Sequence, residues 1–140
     1  MKYLFLFFTV GFIMPSSIAQ TAKSNALDYL KLSGMESSFN QMKAQFLEKV
    51  TKENQADFDK EFDVIINRFY DKYADLLVAF YDETTISETV KKMKETKEVV
   101  KLQNLSYEKS LEMGSKMEMI GQEFGLGMQG LIAKYIPEEE

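Results

Sequence analysis

The chain contains no histidine and no cysteine. Their absence excludes the Ser-His and Cys-His nucleophile systems, the imidazole general base and His-ligated zinc. Disulfides, thiolate chemistry and lipid attachment through an N-terminal cysteine go with them, so stability has to come from packing alone. Proline is almost as scarce. Its two copies are Pro15 and Pro137, and nothing between them carries the residue that most strongly breaks a helix. A basic surplus is also missing: 17 Lys and Arg stand against 22 Asp and Glu, a net charge of −5. That balance argues against nucleic acid, whose phosphates are bound by a concentrated basic surface.

What is present begins with a leader. Met1-Lys2-Tyr3 is followed by an apolar run from Leu4 to Met14, broken only by Thr9 and Gly11, and then by Pro15-Ser16-Ser17-Ile18-Ala19. These are the charged region, the apolar region and the small-x-small cleavage site of a secretory signal peptide. A membrane span needs roughly 20 apolar residues, and this run stops well short. The expected organisation is a signal peptide over residues 1–19 cut before Gln20, one helical domain over 20–136, and an acidic tail over 137–140. A length of 140 residues suits a single domain. The product is expected to be exported, periplasmic or secreted, with no transmembrane anchor after processing.

Apolar residues recur at spacings of three and four, without the alternation that announces strands. The first segment, Ser24 to Ser33, carries Leu27 and Leu30 and ends at Gly34, a natural residue for the left-handed position after a helix. The second, about Glu36 to Thr51, has a stripe of Phe39, Met42, Phe46 and Val50. The third, about Gln55 to Asp82, carries Phe58, Phe62, Ile65, Phe69, Tyr73, Leu76, Leu77 and Phe80. The pattern leaves open whether it is continuous or bends near Lys72 to Ala74. Thr85 followed by Glu88 fits a capping box ahead of a fourth helix, Ile86 to about Leu102. A last helix of roughly 45 Å runs from about Ser106 to Tyr135. The expectation is an all-α bundle of about five amphipathic helices, the last one long.

Four features of this pattern are candidates for function. Phe-Tyr-Asp occurs twice, at Phe69-Tyr70-Asp71 and Phe80-Tyr81-Asp82, and 11 residues is close to three helical turns. Both copies would then lie along one side, either as an aromatic ledge for a ligand or with core phenylalanines and tyrosine hydroxyls in water. Met113 and Met117 form an i, i+4 pair that could hold Cu(I), but methionine more commonly fills cores. Lys91, Lys92, Lys94, Lys97 and Lys101 crowd the fourth helix, where Lys91 with Glu95 and Lys94 with Glu98 can pair.

The glycines are the least ordinary feature: Gly114, Gly121, Gly125, Gly127 and Gly130 all fall inside the last helix, each costing about 1 kcal/mol relative to alanine. Close approach of a neighbouring helix along Gly114, Gly121 and Gly125 is the first explanation. A hinge at Gly125 to Gly130 that opens an apolar groove is the second.

The segments Tyr29-Leu30-Lys31-Leu32-Ser33-Gly34-Met35 with Gln41-Met42, Ser110-Leu111-Glu112-Met113-Gly114 and Gly121-Gln122-Glu123-Phe124-Gly125 resemble the opening and closing helices of a family of exported bacterial proteins, domain of unknown function 2059. The family's central F-Y-x-[ST]-P-x-G-x-K motif is reduced here to Thr96 and Lys101 within Met93 to Lys101. The resemblance implies an all-helical envelope protein and adds no mechanism.

Elimination therefore points to a non-catalytic exported protein that binds another macromolecule of the cell envelope. An alternative is a carrier of a small apolar ligand, with its pocket between the glycine-rich last helix and the aromatic third helix. A carboxylate-based hydrolase of cell-wall sugar comes third, since no acidic pair is singled out. The residues expected to meet the partner or ligand are Tyr70, Phe80, Tyr81, Gly121, Phe124, Gly125 and Met128. No cofactor or metal is expected.

Overall fold

A computed structural model of the chain describes residues 16–136 apart from 104, with side chains from residue 20 onward. The expected leader and acidic tail lie outside the described residues, save for the helical backbone of 16–19. Among the described residues five α-helices follow one another: α1 (Ser16–Leu30), α2 (Glu36–Leu47), α3 (Gln55–Phe80), α4 (Glu83–Thr96) and α5 (Tyr107–Tyr135). Among the described residues there is no strand, so the fold is all-α with a long last helix. The residues that α1 buries are Ala22, Ala26 and Leu30. A cut ahead of Gln20 would leave all three in place.

α1 and α2 meet at a kink. Gly34 has φ 94° and ψ −2° between right-handed helical neighbours, a conformation that a Cβ would strain. This is the left-handed role that the sequence suggests for Gly34.

α3 is unbroken over 26 residues. Its buried positions are Phe58, Phe62, Ile66, Tyr70, Ala74 and Leu77, with Leu76 beside them. Steps of four and three keep them on one stripe. That stripe is not quite the one read from the sequence, because Ile65, Phe69, Tyr73 and Phe80 are only half-buried and form its shoulders. The shoulders exist because α3 is central: it packs against α1, α2 and α5, while α4 rests on α1.

Ring contacts fix the registers. Phe39 of α2 meets Phe69 and Phe46 meets Phe58, at centroid distances of 5.4 and 6.3 Å, so α2 runs antiparallel to α3. Phe124 of α5 meets Phe69 at 5.1 Å and Tyr135 meets Phe58 at 5.9 Å, which makes α5 antiparallel to α3 as well. Lys43 reinforces α2 by reaching both Asp59 and Asp63 at 2.6 Å.

α4 departs from expectation at both ends. Its N-cap is Asp82, whose carboxylate accepts from the Thr85 N–H at 2.8 Å and from the Thr85 hydroxyl at 2.7 Å. An aspartate in extended backbone is the stronger cap, and it starts the helix ahead of the Thr85–Glu88 box. The far end stops at Thr96 because Lys97 turns left-handed, φ 61°. Val99 to Leu102 is therefore neither helix nor strand. Lys94 pairs with Asp28 of α1 at 2.6 Å, across helices and not along α4 to Glu98.

Ile86 of α4 is fully buried, so Ile86→Ala should lower unfolding free energy in urea by about 2–5 kcal/mol. Asp82→Ala should lower the melting temperature measurably, and Glu88→Ala should leave it unchanged.

Candidate functional site

α5 runs for 29 residues without a break, straight through its glycines. Ser106 caps it, accepting from the Lys109 N–H at 3.3 Å. One side is sewn to α3. Met113, Met128 and Leu131 are buried there, and ion pairs join Lys72 to Glu123 and, at 2.6 Å, Lys134 to Glu61. The Tyr135 hydroxyl also donates to Glu61 at 2.8 Å. Lys134 first and then Tyr135 hold the Glu61 carboxyl below its usual range, and Lys72 does the same for Glu123.

The glycines are not where a neighbouring helix comes close. A Cβ added at Gly114, Gly121 or Gly125 would meet no atom within 4 Å, and only at Gly127 would it touch a neighbour, the Ile65 side chain at 3.5 Å. Close packing within the chain thus accounts for Gly127 alone. The reason is that α5 packs chiefly against α3, where Phe124 meets Phe69 and Tyr135 meets Phe58, and among the described residues no other helix meets it to a comparable extent. On those outer faces Leu111 is 58% and Leu126 69% exposed. Gly114, Gly121 and Gly125 leave open backbone on this side of the helix, where another backbone can approach closely, with the Gln122–Glu118 pair at its edge.

A second locality lies under α2. Phe39 stands edge-on to Phe69 and to Tyr70, 5.4 and 5.6 Å away, and tilted against Phe124 at 5.5 Å. Tyr70 is 7% exposed, and its hydroxyl is sealed from solvent with no hydrogen-bond partner. Burial, and after it the carboxylate of Glu36, pushes this phenol above its ordinary value. Burial acts likewise on Tyr73 and Tyr81.

The residues singled out from the sequence therefore separate. Tyr70 and Phe124 join in one aromatic nest through Phe39 and Phe69. Gly121 is exposed on α5, and Gly125 lies beside it, half-buried. Met128 is buried. Phe80 closes α3, and Tyr81 follows it in extended backbone, φ −119° and ψ 143°. The two Phe-Tyr-Asp copies thus form no common ledge. Phe80 and Tyr81 instead line a depression with Thr85 and Lys109.

Met117 accepts from the Tyr73 hydroxyl at 3.5 Å, while Met119 is 67% exposed elsewhere on the helix. Phe39 and Glu36 were not among the expected site residues. Phe39 reads as one more stripe residue, and only the three-dimensional path of α2 brings it over Tyr70.

Between α3 and α5, a crevice that Ile65, Phe69, Ile120 and Phe124 help to line has about 30 Å³ of room, and two shallower depressions along the same helices, about 320 Å³ beside Gly127 and Gly130 and about 440 Å³ beside Met119, are open to solvent. Among the described residues no group of three or more acidic side chains could hold a metal ion, and no helix is long and apolar enough to cross a membrane. Comparison with protein-family models, with curated proteins and with solved structures gives no match.

An unpaired buried hydroxyl costs about 1–3 kcal/mol, so Tyr70→Phe should raise the unfolding free energy by about 1 kcal/mol in urea titrations. The Tyr70 phenol is raised in the folded state, so its contribution is intact below about pH 10 and is lost as pH climbs through the folded value. Tyr70→Phe should therefore also reduce the loss of stability in alkali.

Proposed function

We propose that this chain is an exported, non-catalytic helical protein that binds another macromolecule of the cell envelope, a partner that presents a helix to the outer face of α5. One observation carries the reading. Gly114, Gly121 and Gly125 weaken α5, and no neighbour within the chain makes use of their missing side chains. In open helical positions alanine is better by about 0.5–1 kcal/mol at each site. A sequence that keeps glycine there gives up stability for something outside the fold, the usual mark of a binding surface.

Exposed Leu111 and Leu126 supply the apolar area such a partner would bury. The absence of histidine and cysteine supports the non-catalytic half of the reading. The leader-like start supports export, and the resemblance to domain of unknown function 2059 agrees with that.

The triple variant Gly114→Ala, Gly121→Ala, Gly125→Ala should melt higher than the parent chain. Gly121→Leu combined with Gly125→Leu should keep the helical circular dichroism signal but block the face. A photo-crosslinker at Leu111 should then yield a discrete adduct in the exporting cell with the parent chain and none with the double-leucine variant. The same crosslinker at exposed Lys60 should yield none in either. N-terminal sequencing of the exported product should begin at Gln20. An adduct that persists in the double-leucine variant, or a product that begins at Met1, would overturn the proposal.

A further inference from the structure

α2 is held differently from every other helix. None of its twelve residues is buried; it rests on α3 and α5 through the rings of Phe39 and Phe46 and through the paired contacts of Lys43 with Asp59 and Asp63. Its entry is the left-handed Gly34. Its exit is secured by the Gln55 side-chain amide, which donates to the Leu47 carbonyl at 2.9 Å. A segment with few buried groups between two defined ends is the kind that opens locally at low free energy.

Beneath it, Phe69 and Tyr70 on α3 and Phe124 on α5 form three walls of an aromatic slot. These walls belong to helices anchored by their own buried stripes, whereas the ring that fills the slot, Phe39, belongs to α2. One wall also carries a polar group left unsatisfied: the Tyr70 hydroxyl is buried without a partner, and the Phe39 ring packed edge-on to the Tyr70 ring can offer it none. We infer that α2 is a lid, that Phe39 is a plug, and that the slot beneath takes a neutral aromatic molecule bearing a hydroxyl or carbonyl group that hydrogen-bonds to Tyr70.

Neutrality follows from the walls: the contacts of Phe39 are three rings, and a charge moved among them would lose its hydration unpaired. Aromaticity follows from the walls, which already hold a ring edge-on at 5.4 and 5.6 Å. The hydroxyl or carbonyl follows from the orphaned donor. This site is separate from the glycine face of α5, so either can fail without the other.

The test uses 4-methylphenol and toluene, which differ by one hydroxyl, titrated into the full chain and followed by calorimetry and by chemical shifts. The expected result is saturable binding of 4-methylphenol with shifts at Phe69, Tyr70, Phe124 and along α2. Toluene should bind about tenfold more weakly, and Tyr70→Phe should abolish the difference. Phe39→Ala should strengthen 4-methylphenol binding by about tenfold by removing the plug; because Phe39 is only half-buried, the fold should survive, and circular dichroism checks that. The inference is overturned if 4-methylphenol does not bind the full chain, which leaves a trapped water as the partner of Tyr70. It is equally overturned if Tyr70→Phe leaves the preference over toluene intact.

Discussion

The molecule depends on the burial of a single stripe along α3. Phe58, Phe62, Ile66, Tyr70, Ala74 and Leu77 face inward along it, and α3 packs against α1, α2 and α5. Full burial of a phenylalanine or isoleucine side chain gives about 1.5–3 kcal/mol, and α1, α2 and α5 each cover a different part of this stripe and its shoulders. The ion pairs that border it, Lys23 with Asp71 and Asp75, Lys43 with Asp59 and Asp63, and Lys134 with Glu61, have at least one half-exposed partner each. Such pairs contribute little to stability. They set which way each helix lies, and the apolar stripe supplies the energy.

Much of this was legible in the residue pattern. Spacings of three and four give the helices, Gly34 gives the kink, and the absence of internal proline allows a continuous α3 and α5. The errors fall where two local signals compete. Thr85 and Glu88 make a plausible capping box, but Asp82 stands three residues earlier and binds the same threonine. Val99-Val100-Lys101-Leu102 continues an apolar pattern, but Lys97 has already left the helix. No spacing rule shows that a lysine will turn left-handed. The aromatic shoulders of α3 cannot be told from its centre in the sequence, because their period is equally good, and only the positions of α1 and α5 decide between neighbouring faces.

The glycines and Tyr70 were legible as residues of interest and illegible as to why. A run of helical glycines signals either close packing or an exposed face, and composition is the same in both cases. The structure separates them, with Gly127 against Ile65 and Gly114, Gly121 and Gly125 open. Tyr70 is in the same position: the sequence puts a tyrosine at the core boundary, and the fold carries it inside without a partner. Both places share one property. A commoner residue, alanine in one case and phenylalanine in the other, would suit the isolated fold better. Departures of that kind are where a sequence answers to something beyond folding, and here they fall on two helices, on an open side of α5 and inside the core on α3.

Native-state hydrogen exchange tests the central claim most directly, because it ranks each helix by the free energy of the opening that exposes it. If the stripe of α3 carries the fold, amides from Phe62 to Leu77 exchange only through global unfolding, and those of α2 exchange through smaller openings. Slow exchange confined to another helix, with α3 opening ahead of it, would contradict the account.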